Sequence, residues 1–185
     1  MTRKRFAALL LLVLCLTGCK AEGPTQTALD LRTKLMQAQT CGFTAQIRSD
    51  HGEKVYEFTA DVRYSPEETV VEITSPEELQ GIRAKVTEDG AKLEYDGVEL
   101  TFGTLANGKV SPMSAPWLLV QCWIGEYISH AGADGELERV TYLRGYDDEE
   151  IMLDTWLNVD GIPAYAEVAY DGVRCLSIQI RDFQF

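Results

Sequence analysis

The sequence predicts an α+β domain, mainly antiparallel β, in which a strongly curved sheet wraps one apolar helix and follows an amphipathic helix. Three observations carry that reading. Long stretches on either side of the chain's middle alternate apolar and polar residues with a period of two, as strands with one buried face do. Asp-Gly pairs separate several of these stretches, and they signal hairpins because glycine accepts a positive φ without strain. Between the two alternating blocks, Trp117 to Ile128 is apolar nearly all round, with Glu126 its only charge. A helix that is apolar on every side must be covered on every side, and in a β-rich chain the concavity of a curved sheet does that.

The first element is a targeting segment. Arg3, Lys4 and Arg5 precede eleven apolar residues, Phe6 to Leu16. A basic start, an apolar run of this length and small residues after it describe a secretory signal peptide. The run falls short of the about 20 residues that a spanning helix needs. Leu16-Thr17-Gly18-Cys19 resembles the bacterial lipobox, in which the peptide is cut before the cysteine and the thiol receives a diacylglyceryl group. The alternative is a plain signal peptide that happens to contain Cys19. The lipobox resemblance implies a signal peptide over 1–18, a lipidated Cys19 with a tether through 26, and one domain over 27–185. It places that domain on the extracytoplasmic side of the cell membrane, since two or more acyl chains anchor a protein stably where one does not. Lys20 to Gln26 contains Gly23 and Pro24, and seven extended residues reach at most about 25 Å.

Thr27-Ala28-Leu29-Asp30 has the form of a helix start. Ala28, Leu31, Leu35 and Ala38 then recur at helical spacing, which predicts an amphipathic helix through Gln39 with Gly42 as its stop. From Phe43 the period becomes two. Phe43, Ala45 and Ile47 form one strand. Tyr56, Phe58, Ala60, Val62 and Tyr64 form the next, after a turn at Asp50-His51-Gly52. Val71 and Ile73, then Ile82, Ala84 and Val86, continue the pattern. Leu93 and Tyr95 lead through Asp96-Gly97 into Val98, Leu100 and Phe102, completing a meander of about six strands.

Ser111-Pro112-Met113-Ser114-Ala115-Pro116 interrupts the sheet. Ser114 or Ala115 caps the apolar helix and Pro116 occupies its first turn. Strands resume after Asp134-Gly135, as Leu137 to Arg144, Glu150 to Val159, Pro163 to Tyr170 and Val173 to Phe183. Asp147-Asp148, Asp160-Gly161 and Asp171-Gly172 turn them. The likeness of Tyr95-Asp96-Gly97-Val98 to Tyr170-Asp171-Gly172-Val173 needs only a shared hairpin preference.

Composition narrows the function. Without residues 1–18 the chain has 167 residues, a single domain's length, and 14 basic against 29 acidic residues, a charge of −15. Such a domain lacks the basic footprint that nucleic acid demands. It is also repelled by anionic headgroups, so lipid rather than protein surface holds it at a membrane. Cys41, Cys122 and Cys175 remain after Cys15 and Cys19, with no spacing of a zinc site or redox pair. Cys41 follows the first helix and Cys175 lies on the last strand, which would allow a disulfide if their Cα atoms came within about 7 Å.

No catalytic constellation is visible. His51 sits in a turn and His130 near the end of the apolar helix. Cys122 and His130 are more than two helical turns apart, too far for a nucleophile–base contact. Asp147-Asp148-Glu149-Glu150 lacks the spaced ligands and glycine of a calcium hand and reads as a solvated turn. The expectation is a protein that is not an enzyme, with no metal and no cofactor beyond the diacylglyceryl lipid on Cys19. For the apolar helix two readings stand. Trp117, Leu118, Val120, Trp123 and Ile124 either complete the core or, with Tyr56 and Phe58, line an apolar-ligand pocket.

The order of lipobox, tether, amphipathic helix, meander, apolar helix and second meander resembles the LolA/LolB-like family of bacterial lipoprotein carriers, whose relatives include spore germination lipoproteins. The resemblance covers Thr27 to Phe183 and rests on pattern. The stretch Tyr64 to Ile82, with Pro66, Pro76, Leu79 and Gly81, reads like the family's strand–loop–strand unit. The family's soluble carrier has no lipid anchor, whereas Cys19 gives this chain one. The resemblance implies an open half-barrel with an apolar interior and two possible roles. One is binding an acyl chain or a lipidated protein in the cavity. The other is a membrane-tethered adaptor or regulator that docks another envelope protein, such as a cell-wall enzyme. A filled interior favours the second role and an open cavity of several hundred Å³ favours the first.

Overall fold

The computed structural model describes residues 23–50, 55–102, 105–106, 109–145 and 150–185. Cys19 and its lipobox, His51 and Asp147-Asp148-Glu149 lie outside the described residues. Helix α1 spans Pro24–Ala38. Six strands follow: β1 Cys41–Asp50, β2 Val55–Tyr64, β3 Thr69–Ser75, β4 Arg83–Thr87, β5 Gly90–Tyr95 and β6 Val98–Phe102. A short pair, β7 Leu105–Ala106 and β8 Lys109–Val110, precedes helix α2, Ala115–Gly125. The second block is β9 Tyr127–Asp134, β10 Leu137–Arg144, β11 Ile151–Leu157, β12 Pro163–Tyr170 and β13 Val173–Gln184.

All but β7 and β8 join one antiparallel sheet of eleven strands, ordered β6-β5-β4-β3-β2-β1-β13-β12-β11-β10-β9. The two meanders meet where β1 pairs with β13, from Gly42 opposite Gln184 to Ser49 opposite Leu176. The sheet is unclosed, and it is curved. Helix α2 touches β2 and β3 on one side and β10 on the other. In a flat sheet β3 and β10, six places apart, would be separated by about 29 Å at ~4.8 Å per strand. A helix is only about 10–12 Å across, so the strands must wrap it. This is the expected half-barrel.

Alternation sets the inner face. In β1, Cys41, Phe43, Ala45, Ile47 and Ser49 are buried while their neighbours are exposed or half-buried. Opposite them Phe58, Ala60 and Val62 of β2 face the same way. Ile151, Leu153, Thr155 and Leu157 of β11 and Leu176, Ile178 and Ile180 of β13 complete that face. The Asp96-Gly97 and Asp171-Gly172 turns both take positive φ at each residue (48° and 78°, 49° and 69°), as two-residue hairpins of this type require.

Three element limits differ from expectation. Helix α1 begins at Pro24, with Gly23 extended before it, because proline's fixed φ suits the first helical position where no N–H is needed. Thr27 is therefore inside the helix, and the helix claims residues expected in the tether. It ends at Gln39 in the left-handed conformation (φ 60°), whose N–H donates to Leu35 O at 2.9 Å. Gly42 is a β1 residue, not the stop. Helix α2 ends at Gly125 rather than Ile128, and Tyr127 opens β9, a strand with no alternation to announce it.

Candidate functional site

Helix α2 is where the sequence put the candidate apolar site. Its sequence has no polar face to present to water, so the fold buries it. Leu119, Val120, Cys122 and Trp123 are fully buried, and Trp117 and Leu118 are 8% and 3% exposed. Ile124 packs partly buried against the same core. Trp123 is fixed most tightly. Its ring lies 6.0 Å from those of Phe43 and Phe183, and its Nε1–H donates to Thr155 Oγ1 at 2.9 Å. Phe58 is buried opposite Ile47. Tyr56 does not join this group: it is half exposed, beyond the helix's cover. The helix residues thus complete the core, the first of the two readings left open.

Both ends of this arrangement are held by arginines that the pattern did not single out. Arg32 of α1 donates from Nε to Trp123 O at 3.0 Å and from Nη2 to Glu126 O at 2.5 Å, so a cation meets the negative end of the α2 dipole and satisfies its last carbonyls. Arg144 of β10 pairs with Glu126 at 3.4 Å and lies 5.1 Å from the Trp117 ring. No local signal marks Arg32 for this work, because its partners lie some ninety residues on.

The outer face of β9–β13 carries a polar network. Asp154, 5% exposed, accepts from Arg139 Nη2 at 2.6 Å and from Thr141 Oγ1 at 2.5 Å. Its neighbour across the strands, Glu167, accepts from Tyr165 OH at 2.8 Å and Arg174 Nη1 at 2.6 Å. Arg139 also lies over the Trp156 ring, whose Nε1–H donates to Asp134. Each carboxylate has its own guanidinium, so the cross-strand pair is held as two ion pairs. The held carboxylate of Glu167 raises the phenol of Tyr165 together with burial, which acts most strongly. A hollow of about 180 Å³ opens beside Arg174, Tyr165, Ser177 and Arg48, smaller than a drug-sized ligand needs.

The thiols are kept apart. Cys41 begins β1 and Cys175 lies at the far end of the same strand pair, next to Leu176, which faces Ser49. The eight residues from Cys41 to Ser49 separate them by roughly 25 Å at ~3.3 Å per residue, so the expected bridge does not form, and both are free, as is Cys122. Burial pushes Cys41 and Cys122 up to about 12, and a thiol kept protonated is a poor nucleophile. His130 is exposed on β9 opposite Thr141, not at a helix end, while Cys122 is enclosed in the core. They do not meet. Among the described residues no group of three His, Cys, Asp or Glu side chains is placed to hold a metal, and no helix is long and apolar enough to cross a membrane.

Among the described residues, the inner face of the β5–β6 hairpin is an exposed apolar surface. Leu93 of β5 faces Leu100 of β6, and Tyr95 faces Val98. All four share the inner face with buried Ala91, yet Tyr95, Val98 and Leu100 are 46%, 60% and 61% exposed. The sequence showed these residues as strand interior, and periodicity contains no information on whether an inner face is covered.

No protein-family model and no curated protein matches the chain. Among solved structures it is similar to LolA superfamily protein NE2245 from Nitrosomonas europaea, at 12% identity over 86% of this chain and 92% of that one, with a TM-score of 0.44. A putative outer membrane lipoprotein-sorting protein domain from Vibrio parahaemolyticus matches at 6% identity over 86% and 91%, TM-score 0.48. A structure of the CwlD amidase from Clostridioides difficile in complex with the GerS lipoprotein matches at 16% identity over 87% and 95%, TM-score 0.40. In fold the chain is thus similar to a LolA superfamily protein, to a putative lipoprotein-sorting domain and to a chain of an amidase–lipoprotein complex.

Proposed function

We propose that this chain is a lipid-anchored protein of the bacterial cell envelope that catalyses no reaction and works as an adaptor, docking another envelope protein. The observation that carries the adaptor reading is that α2 fills the part of the concavity it occupies. The side chains best suited to line an acyl pocket, Trp117, Leu118, Val120 and Trp123, are each at most 8% exposed and packed against the sheet. Displacing that helix for a ligand would expose core residues whose individual burial stabilises by about 1.5–3 kcal/mol each. The anchor itself rests on the Leu16-Thr17-Gly18-Cys19 sequence.

A second reading, binding of an acyl chain or lipidated protein, is favoured by one observation: the open inner face of the β5–β6 hairpin. Native mass spectrometry of the full-length protein, with photocross-linking in cells, separates the two. A covalent adduct with another envelope protein and no retained lipid is expected. Stoichiometric co-purified lipid and no protein adduct would overturn the adaptor reading. Membrane attachment has its own test, since Cys19→Ala should move the protein to the soluble fraction; retention of that variant in membranes would refute the anchor.

A further inference from the structure

We infer that the β6 edge is the docking surface, and that its occupant is an extended segment of a cationic partner protein with alternating apolar and basic residues. The inference rests on the adaptor reading and names its surface. Three features combine at this edge. First, β6 ends the sheet order, and among the described residues no strand pairs with its outer side; an unpaired edge is a template for strand addition. Second, the inner face beside it is apolar and open, with Leu93, Tyr95, Val98 and Leu100 in two directly opposed pairs. An added strand would continue that face with every second side chain.

Third, the charge around the edge is one-sided. Glu94 and Glu99 face each other on the outer side of the hairpin, and Asp96 is at its turn. The β3–β4 connection emerges at the same end, because Arg83 of β4 pairs with Glu94, and it brings exposed Glu77 and Glu78. Against these five acids stand Arg83, Lys85 and Lys92, the last held 3.0 Å from Glu99. The surplus selects a basic partner and gives it a fast approach. It also disfavours a second copy of this chain, whose acidic edge would meet its own kind, and an anionic lipid surface. The opposite edge, β9, is also unpaired among the described residues, but α1 packs against that strand, and apart from Tyr127 its exposed side chains, at Ser129, His130 and Ala133, offer little apolar surface.

The test uses the full-length protein in phosphatidylcholine nanodiscs and a fluorescein-labelled peptide of alternating lysine and valine, read by anisotropy against empty nanodiscs. Binding should weaken about ten-fold or more with Leu100→Lys and stay within about two-fold with Thr33→Lys, which adds the same charge on exposed α1. A peptide of equal charge with a central proline, which cannot complete the ladder, should bind at least about ten-fold more weakly. Equal losses from Leu100→Lys and Thr33→Lys, equal binding of the proline peptide, or equal binding of a glutamate–valine peptide would each overturn the assignment. So would a dimer in light scattering that Leu100→Lys dissociates, since a second copy would then be the occupant. Partner cross-links that survive in the Leu100→Lys protein would overturn the β6 assignment while leaving the adaptor reading standing.

Discussion

The two ends of the sheet are built from the same alternating pattern and finished in opposite ways. On the β9–β13 side, helices cover the inner face, arginines tie the helix ends, and even the outer face is knitted by Asp154, Arg139 and Thr141. On the β5–β6 side, the inner face carries apolar side chains, and among the described residues nothing comparable lies over Val98 and Leu100. The difference shows that patterning fixes which way a residue points, while coverage depends on which other element arrives. One side is stability, and the other is available surface.

The contrast is sharpest under core substitution. Trp123→Ala removes a fully buried indole together with its bond to Thr155 and should cost about 4 kcal/mol, read from the urea midpoint; a loss under about 1 kcal/mol would mean the helix is not integral to the core. Arg139→Ala strips Asp154 of its guanidinium and leaves a buried carboxylate held by Thr141 alone. A loss of about 2 kcal/mol is expected, and Asp154→Asn with Arg139→Ala should recover part of it.

Alkaline pH probes the same packed side. Cys41 and Cys122 rise through burial from an ordinary 9.0 to about 12, so the folded protein keeps protons that the unfolded chain releases. The stability this contributes is complete below pH 9 and is lost as pH climbs from 9 towards 12, by up to about 1.4 kcal/mol per pH unit for each thiol. Urea midpoints should fall above pH 9, less steeply in Cys122→Ala. An unchanged slope in that variant would place the thiol in water. The smallest effect belongs to the open side: Leu100→Lys should alter stability by less than about 0.5 kcal/mol. A melting shift rivalling that of Trp123→Ala would abolish the distinction between the two sides.

Much of this architecture was legible in the sequence. The six strands of the first meander, the helix that begins after Pro112 with Pro116 in its first turn, and the four strands from Leu137 onward are all present, because residue alternation, prolines and Asp-Gly turns are local signals. The losses have physical causes too. Strand β9 escaped notice because Ser129, Ala131, Gly132 and Ala133 are too small and mixed to alternate, and its position is set by pairing with β10. The start of α1 was misplaced because Gly23-Pro24 suits a linker and a helix entry equally well. The Cys41–Cys175 pairing failed because chain ends that meet antiparallel bring a strand's start to its partner's finish: Cys41 lies near the end of β13, whereas Cys175 lies near its beginning. At the candidate site, apolar composition identified the helix but could not say whether it borders an empty space. Arg32 was invisible because its role depends on carbonyls supplied by a distant segment.

The junction of β1 and β13 has a consequence for how the molecule comes into being. Strand β1 waits for the twelve-residue β13, and their pairing joins edge to edge two meanders that are otherwise bridged by the helices. A contact between the earliest and latest parts of a chain is slow to form, since the intervening polymer must first be gathered in. Interrupting synthesis just short of Val173 would leave two sticky half-sheets in place of one finished domain.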